Sequence, residues 1–250
     1  MRASLFIACF NDIFFPQTGR AVVSLLRRLG VEIAFDARQT CCGQMHANSG
    51  YRPEAWHQAE RFLRLYTEAD HVVIPSTSCT AMIREQYPAL FAAFGSESQK
   101  RELAALLPRV SEFSEFLIDK LGSADVGAYF PHRVAYHASC HGLRALRLGD
   151  RPYQLLAKVR GLELVELPNT ERCCGFGGTF AVNNAEVSSA MLTAKLQDVL
   201  STRAEICTAL DNSCLMHLGG ALHRQYAGMT VMHLAEILVR TETSFAEAAS

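Results

Sequence analysis

The stretch "ERCCGFGGTF" (171–180) places two adjacent cysteines before a glycine-rich turn, and "TCCGQM" (40–45) repeats its Cys-Cys-Gly core. Single cysteines flank both triplets in the same order. Equivalent cysteines are 131 to 135 residues apart, close to half of the 250-residue chain. This near-constant spacing indicates an internal duplication. The first set is Cys9, Cys41, Cys42 and Cys79, and the second set is Cys140, Cys173, Cys174 and Cys214.

The duplication extends to the segments around the cysteines. "VEIAFD" (31–36) and "LELVELP" (162–168) occupy equivalent places, as do "HVVIPSTSC" (71–79) and "EICTALDNSC" (205–214). Short apolar runs rich in β-branched residues alternate with amphipathic segments, which predicts βαβ units and parallel sheets. We therefore predict an α/β fold of two tandem pseudo-repeated lobes, residues 1–121 and 133–250, joined within residues 122–132.

The predicted strands determine where the cysteines lie. Cys9 and Cys140 are expected to end the first strand of each lobe, the Cys-Cys-Gly triplets to follow the second strand, and Cys79 and Cys214 to follow the third. Ligands of open parallel sheets bind at the carboxyl ends of the strands. The four thiols of each lobe should therefore converge at that edge of the sheet.

Four converging thiols indicate a metal site. The chain has nine cysteines, an odd number, and its N-terminal segment resembles a first strand rather than a signal peptide. Both observations argue against a secreted disulfide framework. Four thiolates suit zinc or an iron–sulfur cluster. Adjacent side chains are expected to diverge, so Cys-Cys fits a multinuclear cluster better than one tetrahedral ion. Cys207, in "EICTAL" (205–210), is expected to be a buried strand residue without a ligand role.

The glycines fit the same interpretation. Backbone N–H groups donate hydrogen bonds to the sulfur atoms of clusters, and glycine allows positive φ and close approach. We expect positive φ and close approach at Gly175, Gly177 and Gly178, and backbone contact with a cluster at these three and at Gly43. A helix beginning at about Ala181 should direct its N-terminus toward the anionic group. A phosphate-binding loop is disfavoured, because "GFGGTF" (175–180) lacks the third glycine of G-x-G-x-x-G.

Other polar residues near the cysteines leave alternatives open. The histidines could orient a cluster, relay a proton or ligate metal, or could be ordinary loop residues. The arginines could pair with a carboxylate substrate, or could be solvated surface charges. The histidines are His137, His141 and His217, and the arginines are Arg144, Arg147 and Arg172.

Composition excludes two broad classes. The net charge is −1, and the sequence carries no basic stripe of the kind that binds nucleic acid. No apolar run approaches the roughly 20 residues of a membrane-spanning helix, so membrane association is expected only through partners, and the location is expected to be cytoplasmic.

Four longer motifs carry a family resemblance. "TCCGQMHANSGYRPEA" (40–55), "PSTSCTAMIREQYP" (75–88), "YHASCHGLR" (136–144) and "CCGFGGTFAVNNAEVSSAMLTAKL" (173–196) resemble the lactate utilization protein A family. That family is similar to the heterodisulfide reductases in its cysteine-rich "CCG" domain. The resemblance implies an iron–sulfur subunit, with one or two 4Fe-4S clusters, of a complex that oxidises L-lactate to pyruvate. It also implies lactate utilization proteins B and C as partners.

One departure from the wider pattern concerns the end of each repeat. Heterodisulfide reductase repeats end in Cys-x-x-Cys, whereas here Ser76 and Asp211 replace the penultimate cysteine. These two residues are candidate accessory ligands. The departure puts disulfide-reductase activity in doubt. A cluster-based thiol or disulfide reductase subunit and a zinc-stapled interaction module remain the alternatives to an electron-transfer subunit, and we do not expect a complete enzyme.

Overall fold

A computed structural model describes residues 1–225 and 227–243. It divides the chain into two compact units, Met1–Phe116 and Leu117–Ser250. Each unit contains one four-stranded parallel sheet with helical connections. The predicted fold class, a tandem repeat of α/β lobes with parallel sheets, is confirmed.

The first unit alternates strands and helices from its N-terminus. Its strands are β1 (Arg2–Leu5), β2 (Glu32–Phe35), β3 (Val72–Ile74) and β4 (Val110–Glu112). Its helices are α1 (Cys9–Phe14), α2 (Pro16–Arg28), α3 (Gln44–Asn48), α4 (Arg52–Tyr66), α5 (Thr77–Ala81), α6 (Tyr87–Phe94), α7 (Glu97–Leu106) and α8 (Phe113–Glu115), with a π-helical turn over Met82–Gln86 and a 3-10 turn over Leu107–Arg109. A second π-helical turn, Phe116–Lys120, leads into the second unit.

The second unit repeats this alternation. Its strands are β5 (Arg133–His137), β6 (Glu163–Val165), β7 (Ile206–Ala209) and β8 (Thr230–His233). Its helices are α9 (Arg151–Ala157), α10 (Phe180–Asn183), α11 (Ala185–Ser201), α12 (Asn212–Arg224) and α13 (Leu234–Leu238), with a π-helical turn over His141–Ala145.

The two sheets have the same strand order. It is β2-β1-β3-β4 in the first unit and β6-β5-β7-β8 in the second, and every neighbouring pair is parallel. In each sheet the second strand pairs on one side of the first strand, and the third strand pairs on the other side. The loops that follow the two central strands therefore run in opposite directions from the carboxyl ends of those strands. Such a switch point is where open parallel sheets bind ligands.

Two local predictions are wrong in detail. β1 ends at Leu5 and β5 at His137, so Cys9 and Cys140 lie beyond their strands, at the start of the following helical turns. The helix expected from about Ala181 is interrupted at Asn184, which has φ −130° and ψ 50° and separates α10 from α11. Asparagine side chains compete with the helical backbone for hydrogen bonds, which favours such a break.

The segment expected to join the lobes is bonded to the second unit. Phe130 N donates to Arg160 O at 2.9 Å, and Arg160 N donates to Ala128 O at 3.0 Å. The lobe limits 1–121 and 133–250 stay a prediction. Within the described part of the chain, we find no helix with the length and apolarity required of a membrane span.

Candidate metal centres

The first unit brings its four predicted thiols together at the carboxyl ends of β1, β2 and β3. Cys42 Sγ donates a hydrogen bond to Cys79 Sγ at 3.3 Å. The Cys41 thiol hydrogen-bonds with both Cys42 and Cys9. The sulfur atoms therefore form a continuous chain in the order Cys9, Cys41, Cys42 and Cys79, in which Cys42 is buried and the other three are half-buried.

The second unit repeats this arrangement. The Cys173 thiol hydrogen-bonds with Cys140 and Cys174, and Cys174 also bonds with Cys214. In both units the two adjacent thiols are in contact, so the expectation that they diverge is wrong. Four neighbouring thiols fit the donor set of a metal ion or of an iron–sulfur cluster, and side-chain direction does not decide between the two.

Hydrogen bonding separates the protonation states within each set. Bonds from Cys42 and Cys9 lower the pKa of the Cys41 thiol well below its usual range, and bonds from Cys140 and Cys174 do the same for Cys173. The pKa values of the donating thiols are raised. The first set thus favours the thiolate of Cys41 beside the protonated thiols of Cys9 and Cys42, and the second set favours the thiolate of Cys173 beside those of Cys140 and Cys174. A bound metal would displace the protons of those neighbouring thiols, so metal affinity should rise with pH.

The glycines beside the paired cysteines adopt positive φ, as predicted for Gly175, Gly177 and Gly178. The φ angles are 84° at Gly43, 88° at Gly175, 56° at Gly177 and 65° at Gly178. Gly43 N and Gly175 N each donate to the sulfur two residues earlier at 3.3 Å. The close approach, however, is to a helix: a Cβ at Gly175 would lie 2.6 Å from Ser188 O in α11. Contact between these glycines and a cluster stays a prediction.

Ser76 and Asp211 both cap a helix that carries the last cysteine of its set. Ser76 Oγ accepts from Cys79 N at 3.3 Å at the start of α5. Asp211 Oδ1 accepts from Ser213 N at 3.2 Å and from Ser213 Oγ at 2.6 Å at the start of α12. Both side chains are buried. Capping accounts for an oxygen-bearing side chain at each position, and a role as accessory ligand stays a prediction.

His137 is the histidine that the structure places among the thiols. A ring nitrogen of His137 and the sulfur atoms of Cys174 and Cys214 lie within 4.8 Å of one another. The side chain is 1% exposed, and within residues 1–225 and 227–243 neither ring nitrogen has a hydrogen-bond partner. Burial, with a smaller contribution from the charge of Lys195, lowers the pKa of His137 to about 4. The ring is therefore neutral at physiological pH, the form in which imidazole binds metals.

The other predicted histidines are less centrally placed. His141 Nδ1 lies 3.7 Å from Cys140 Sγ. His217 Nε2 lies 3.3 Å from Ser188 Oγ, and its ring packs against Phe176 with a centroid separation of 5.7 Å. Burial lowers the pKa of His217.

The predicted arginines make surface or structural contacts. Arg172 Nη1 lies 2.9 Å from Asp198 Oδ2, so its charge is paired within the second unit. Arg144 Nη2 donates to Glu171 O at 3.1 Å, and Arg147 is exposed. Pairing of any of the three with a substrate carboxylate stays a prediction, and Arg172 would first have to leave Asp198.

Two further buried residues lie near the second set. Cys207 is fully buried in β7, as predicted, and burial raises its pKa to about 12. Lys195, which the sequence reasoning missed, is also fully buried in α11, and its Nζ donates to Asn169 O at 3.1 Å. The sequence did carry a signal for this burial, because Lys195 is a single lysine among the apolar residues Leu192, Leu196 and Val199.

Comparison with known proteins gives matches along most of the chain. The CCG family, described as a cysteine-rich domain, matches residues 3–84 and again residues 134–219, once in each unit. Lactate utilization protein A of Geobacillus sp. (strain WCH70) is 43% identical over 238 residues, covering 95% of this chain and 99% of the relative. Lactate utilization protein A 2 of Bacillus cereus (strain AH820) is 38% identical over 240 residues, covering 96% and 98%.

A solved structure also aligns, at low similarity. A substrate-binding protein of a sugar ABC transport system from Bordetella parapertussis 12822 has a TM-score of 0.31 and 14% identity, covering 93% of this chain and 68% of that one. The family match covers both units, and the curated relatives align over nearly their full length. The chain therefore belongs to the CCG cysteine-rich domain family and, within it, to the lactate utilization protein A family.

Proposed function

We propose that this chain is an iron–sulfur electron-transfer subunit that acts in the oxidation of L-lactate to pyruvate. The observation that carries the proposal is the repeated convergence of four thiols at the carboxyl ends of two topologically identical sheets. A single structural zinc site would not require the same construction twice. Two sites on one chain suit electron transfer, because one site can accept electrons from a donor and the other can pass them to an acceptor.

The exposure of the thiols supports this role. In the first set three cysteines are half-buried, and in the second set Cys140 and Cys173 are half-buried. A redox group held there would be shielded by the sheet on one side and approachable from the other. The names of the relatives support lactate utilization as the setting, and the family resemblance supports lactate utilization proteins B and C as partners in the cytoplasm.

The residues of each site have separable tasks. The eight cysteines would hold the clusters, which when bound supply one-electron transfer. The Gly43 and Gly175 amides, which already donate to cysteine sulfur, would stabilise the negative charge on the sulfur ligands. The helix caps at Ser76 and Asp211 would fix the position of the last cysteine in each set.

A zinc-stapled interaction module is the second candidate, and one observation favours it. Adjacent thiols in each set are in contact, so all four sulfur atoms could surround one tetrahedral ion. A thiol or disulfide reductase built on a cluster is a third candidate, although Ser76 and Asp211 stand where reductase relatives have cysteine.

Anaerobic purification separates these candidates. We expect iron and acid-labile sulfide in similar amounts, visible absorption and an EPR signal after reduction. Stoichiometric zinc without sulfide would overturn the proposal in favour of the interaction module. With iron present, L-lactate should reduce the clusters only when proteins B and C are added. Reduction by a dithiol, with disulfide as product and no dependence on lactate, would instead establish the reductase.

A further inference from the structure

The two units can be aligned residue by residue through their glycines. A Cβ at Gly43 would contact Ala55 and Gln58 in α4, and a Cβ at Gly175 would contact Ser188 and Met191 in α11. The two helices therefore correspond with a shift of 133 residues.

This shift makes Lys195 the equivalent of Phe62. The first cysteines of the two sets are 131 residues apart, which makes His137 the equivalent of Phe6.

These equivalent pairs differ in chemistry. In the first unit the rings of Phe6 and Phe62 pack edge to face, with centroids 5.2 Å apart. The second unit holds two buried nitrogen-bearing side chains at the same places. Lys195 has an acceptor in Asn169 O, whereas His137 has no hydrogen-bond partner among the described residues. Buried polar groups are almost always partnered, so the lone pair of His137 requires an explanation.

The neighbours of His137 supply that explanation. A ring nitrogen and two thiols, Cys174 and Cys214, lie within 4.8 Å of one another and are all buried. Imidazole nitrogen and cysteine sulfur are common joint ligands of zinc, and they also occur together on iron–sulfur clusters. The first unit has only the Phe6 ring at the corresponding place.

We propose that His137 is a nitrogen ligand to the metal centre of the second unit, so that the two sites differ in their donor sets. The first site binds through sulfur, with Ser76 beside it, and the second binds through sulfur and imidazole. The inference depends on a metal centre being present but not on its being an iron–sulfur cluster. Histidine raises the potential of a cluster when it replaces a thiolate ligand, because neutral imidazole carries less negative charge. In the iron-loaded protein the second site should be reduced before the first where His137 takes the place of one of the four thiolates.

Two matched double variants isolate the sites in the full chain. Cys41→Ser/Cys42→Ser leaves only the second set intact, and Cys173→Ser/Cys174→Ser leaves only the first. Each protein is loaded anaerobically with iron and sulfide, reduced, and measured by pulsed EPR with natural-abundance and with ¹⁵N-labelled histidine. In the Cys41→Ser/Cys42→Ser protein we expect a nitrogen hyperfine coupling that changes when histidine is labelled with ¹⁵N. In the Cys173→Ser/Cys174→Ser protein we expect no coupling that responds to the label.

His137→Phe, which installs the residue of the first unit, assigns the nitrogen. In the Cys41→Ser/Cys42→Ser background it should abolish the coupling and lower the reduction potential. His217→Phe is the control, because His217 lies beside Ser188 and outside the group of three ligand atoms. It should leave the coupling in place. If His137→Phe does not fold, His141→Phe and His217→Phe in the same background decide the question, because His141 Nδ1 lies 3.7 Å from Cys140 Sγ and a coupling that survives both substitutions has His137 as its source.

The outcomes separate this inference from the proposed function. A cluster in the second site without nitrogen coupling overturns the inference and leaves the function standing. If no cluster forms, Co(II) alone is titrated into the Cys41→Ser/Cys42→Ser protein with and without His137→Phe. A loss of affinity of at least about tenfold supports the inference while the iron–sulfur function fails. Equal affinity, or no binding by either protein, overturns both.

Discussion

In the first unit the core beside Cys42 contains the packed rings of Phe6 and Phe62, whereas the second unit holds His137 and Lys195 at the equivalent positions. The thiols and the strand order are alike in the two units, and in both a side chain caps the helix that carries the last cysteine. The two units have thus kept the strand arrangement that brings the cysteines together, whereas the polarity and charge of the side chains around the cysteines differ. Two sites with the same set of four cysteines can in this way acquire unequal affinities and potentials.

A second difference lies at the fourth strand of each sheet. Glu112 ends β4 and His233 ends β8, and both are buried N-caps of the helix that follows. Glu112 Oε2 accepts from Ser114 N at 2.7 Å, and His233 Nδ1 accepts from Ala235 N at 3.1 Å. The same capping task is carried out by an acid in one unit and by an imidazole in the other.

The largest expected effect comes from removing one cysteine pair at a time. Cys41→Ser/Cys42→Ser and Cys173→Ser/Cys174→Ser should each lose about half of the iron bound by the anaerobic protein, because each pair serves its own site. Iron and sulfide analysis per chain measures this. Cys207→Ser is the control and should retain all the iron, since Cys207 belongs to the strand core. Complete loss of iron from either double variant would mean that the two sets form one shared centre.

The next effect is the pH dependence contributed by Glu112. Burial raises the pKa of this carboxyl to about 8, so the folded protein holds the proton more tightly than the unfolded chain, where glutamate titrates near 4.5. The stabilisation is complete below about pH 4.5 and is lost as the pH rises through about 8. Between pH 5 and 8 the free energy of unfolding should fall by a few kcal/mol, since one pKa unit corresponds to about 1.4 kcal/mol.

Glu112→Gln should flatten that pH profile, because the amide cannot ionise. Urea unfolding of the metal-free protein at several pH values measures the difference. Glu97→Gln, at an exposed residue that pairs with Lys100, is the control and should change stability by less than about 1 kcal/mol at any pH. A Glu112→Gln profile parallel to that of the wild type would show that the carboxyl is ionised in the folded protein.

The sequence predicted the repeat, the parallel sheets and the gathering of each cysteine set, because these follow from spacing and from strand topology. It did not predict what depends on tertiary contacts. The need for glycine at 175 comes from the carbonyl of Ser188, which is distant in sequence. The contact between adjacent thiols depends on backbone angles that the triplet alone does not define. His137 was one candidate among three histidines, and only its burial between Cys174 and Cys214 distinguishes it.

Glycine substitutions should separate the two triplets by a smaller amount. Both Gly43 and Gly175 have positive φ, which costs alanine about 1–2 kcal/mol. A Cβ at Gly43 would meet its nearest atoms at 3.2 Å, but at Gly175 it would meet Ser188 O at 2.6 Å and Met191 Cβ at 2.9 Å. Gly175→Ala should therefore cost about 1–3 kcal/mol more than Gly43→Ala in urea unfolding of the metal-free protein.

Gly149→Ala supplies the reference for that comparison, because Gly149 has φ 58° and no described atom lies within 4 Å of the position that a Cβ would take there. It should cost only the backbone strain of about 1–2 kcal/mol. Equal costs at all three positions would show that α11 can move away from the Cys-Cys-Gly turn, and that the helix does not fix the paired cysteines of the second unit.

The smallest effect concerns the caps at Ser76 and Asp211. Serine and aspartate are equally good N-caps, so Ser76→Asp and Asp211→Ser should each change the free energy of unfolding of the metal-free protein by less than about 0.5 kcal/mol. Alanine at either position removes the cap and should cost about 1 kcal/mol of the free energy of unfolding.

The EPR spectrum of the loaded protein distinguishes a capping residue from an accessory ligand. A residue that only caps its helix leaves the spectrum unchanged when replaced by alanine, whereas an accessory ligand alters it. Because Asp211 Oδ1 already accepts two hydrogen bonds from Ser213, we expect unchanged spectra for Asp211→Ala. A change confined to Ser76→Ala would mean that the position three residues before the last cysteine is another point at which the two units differ.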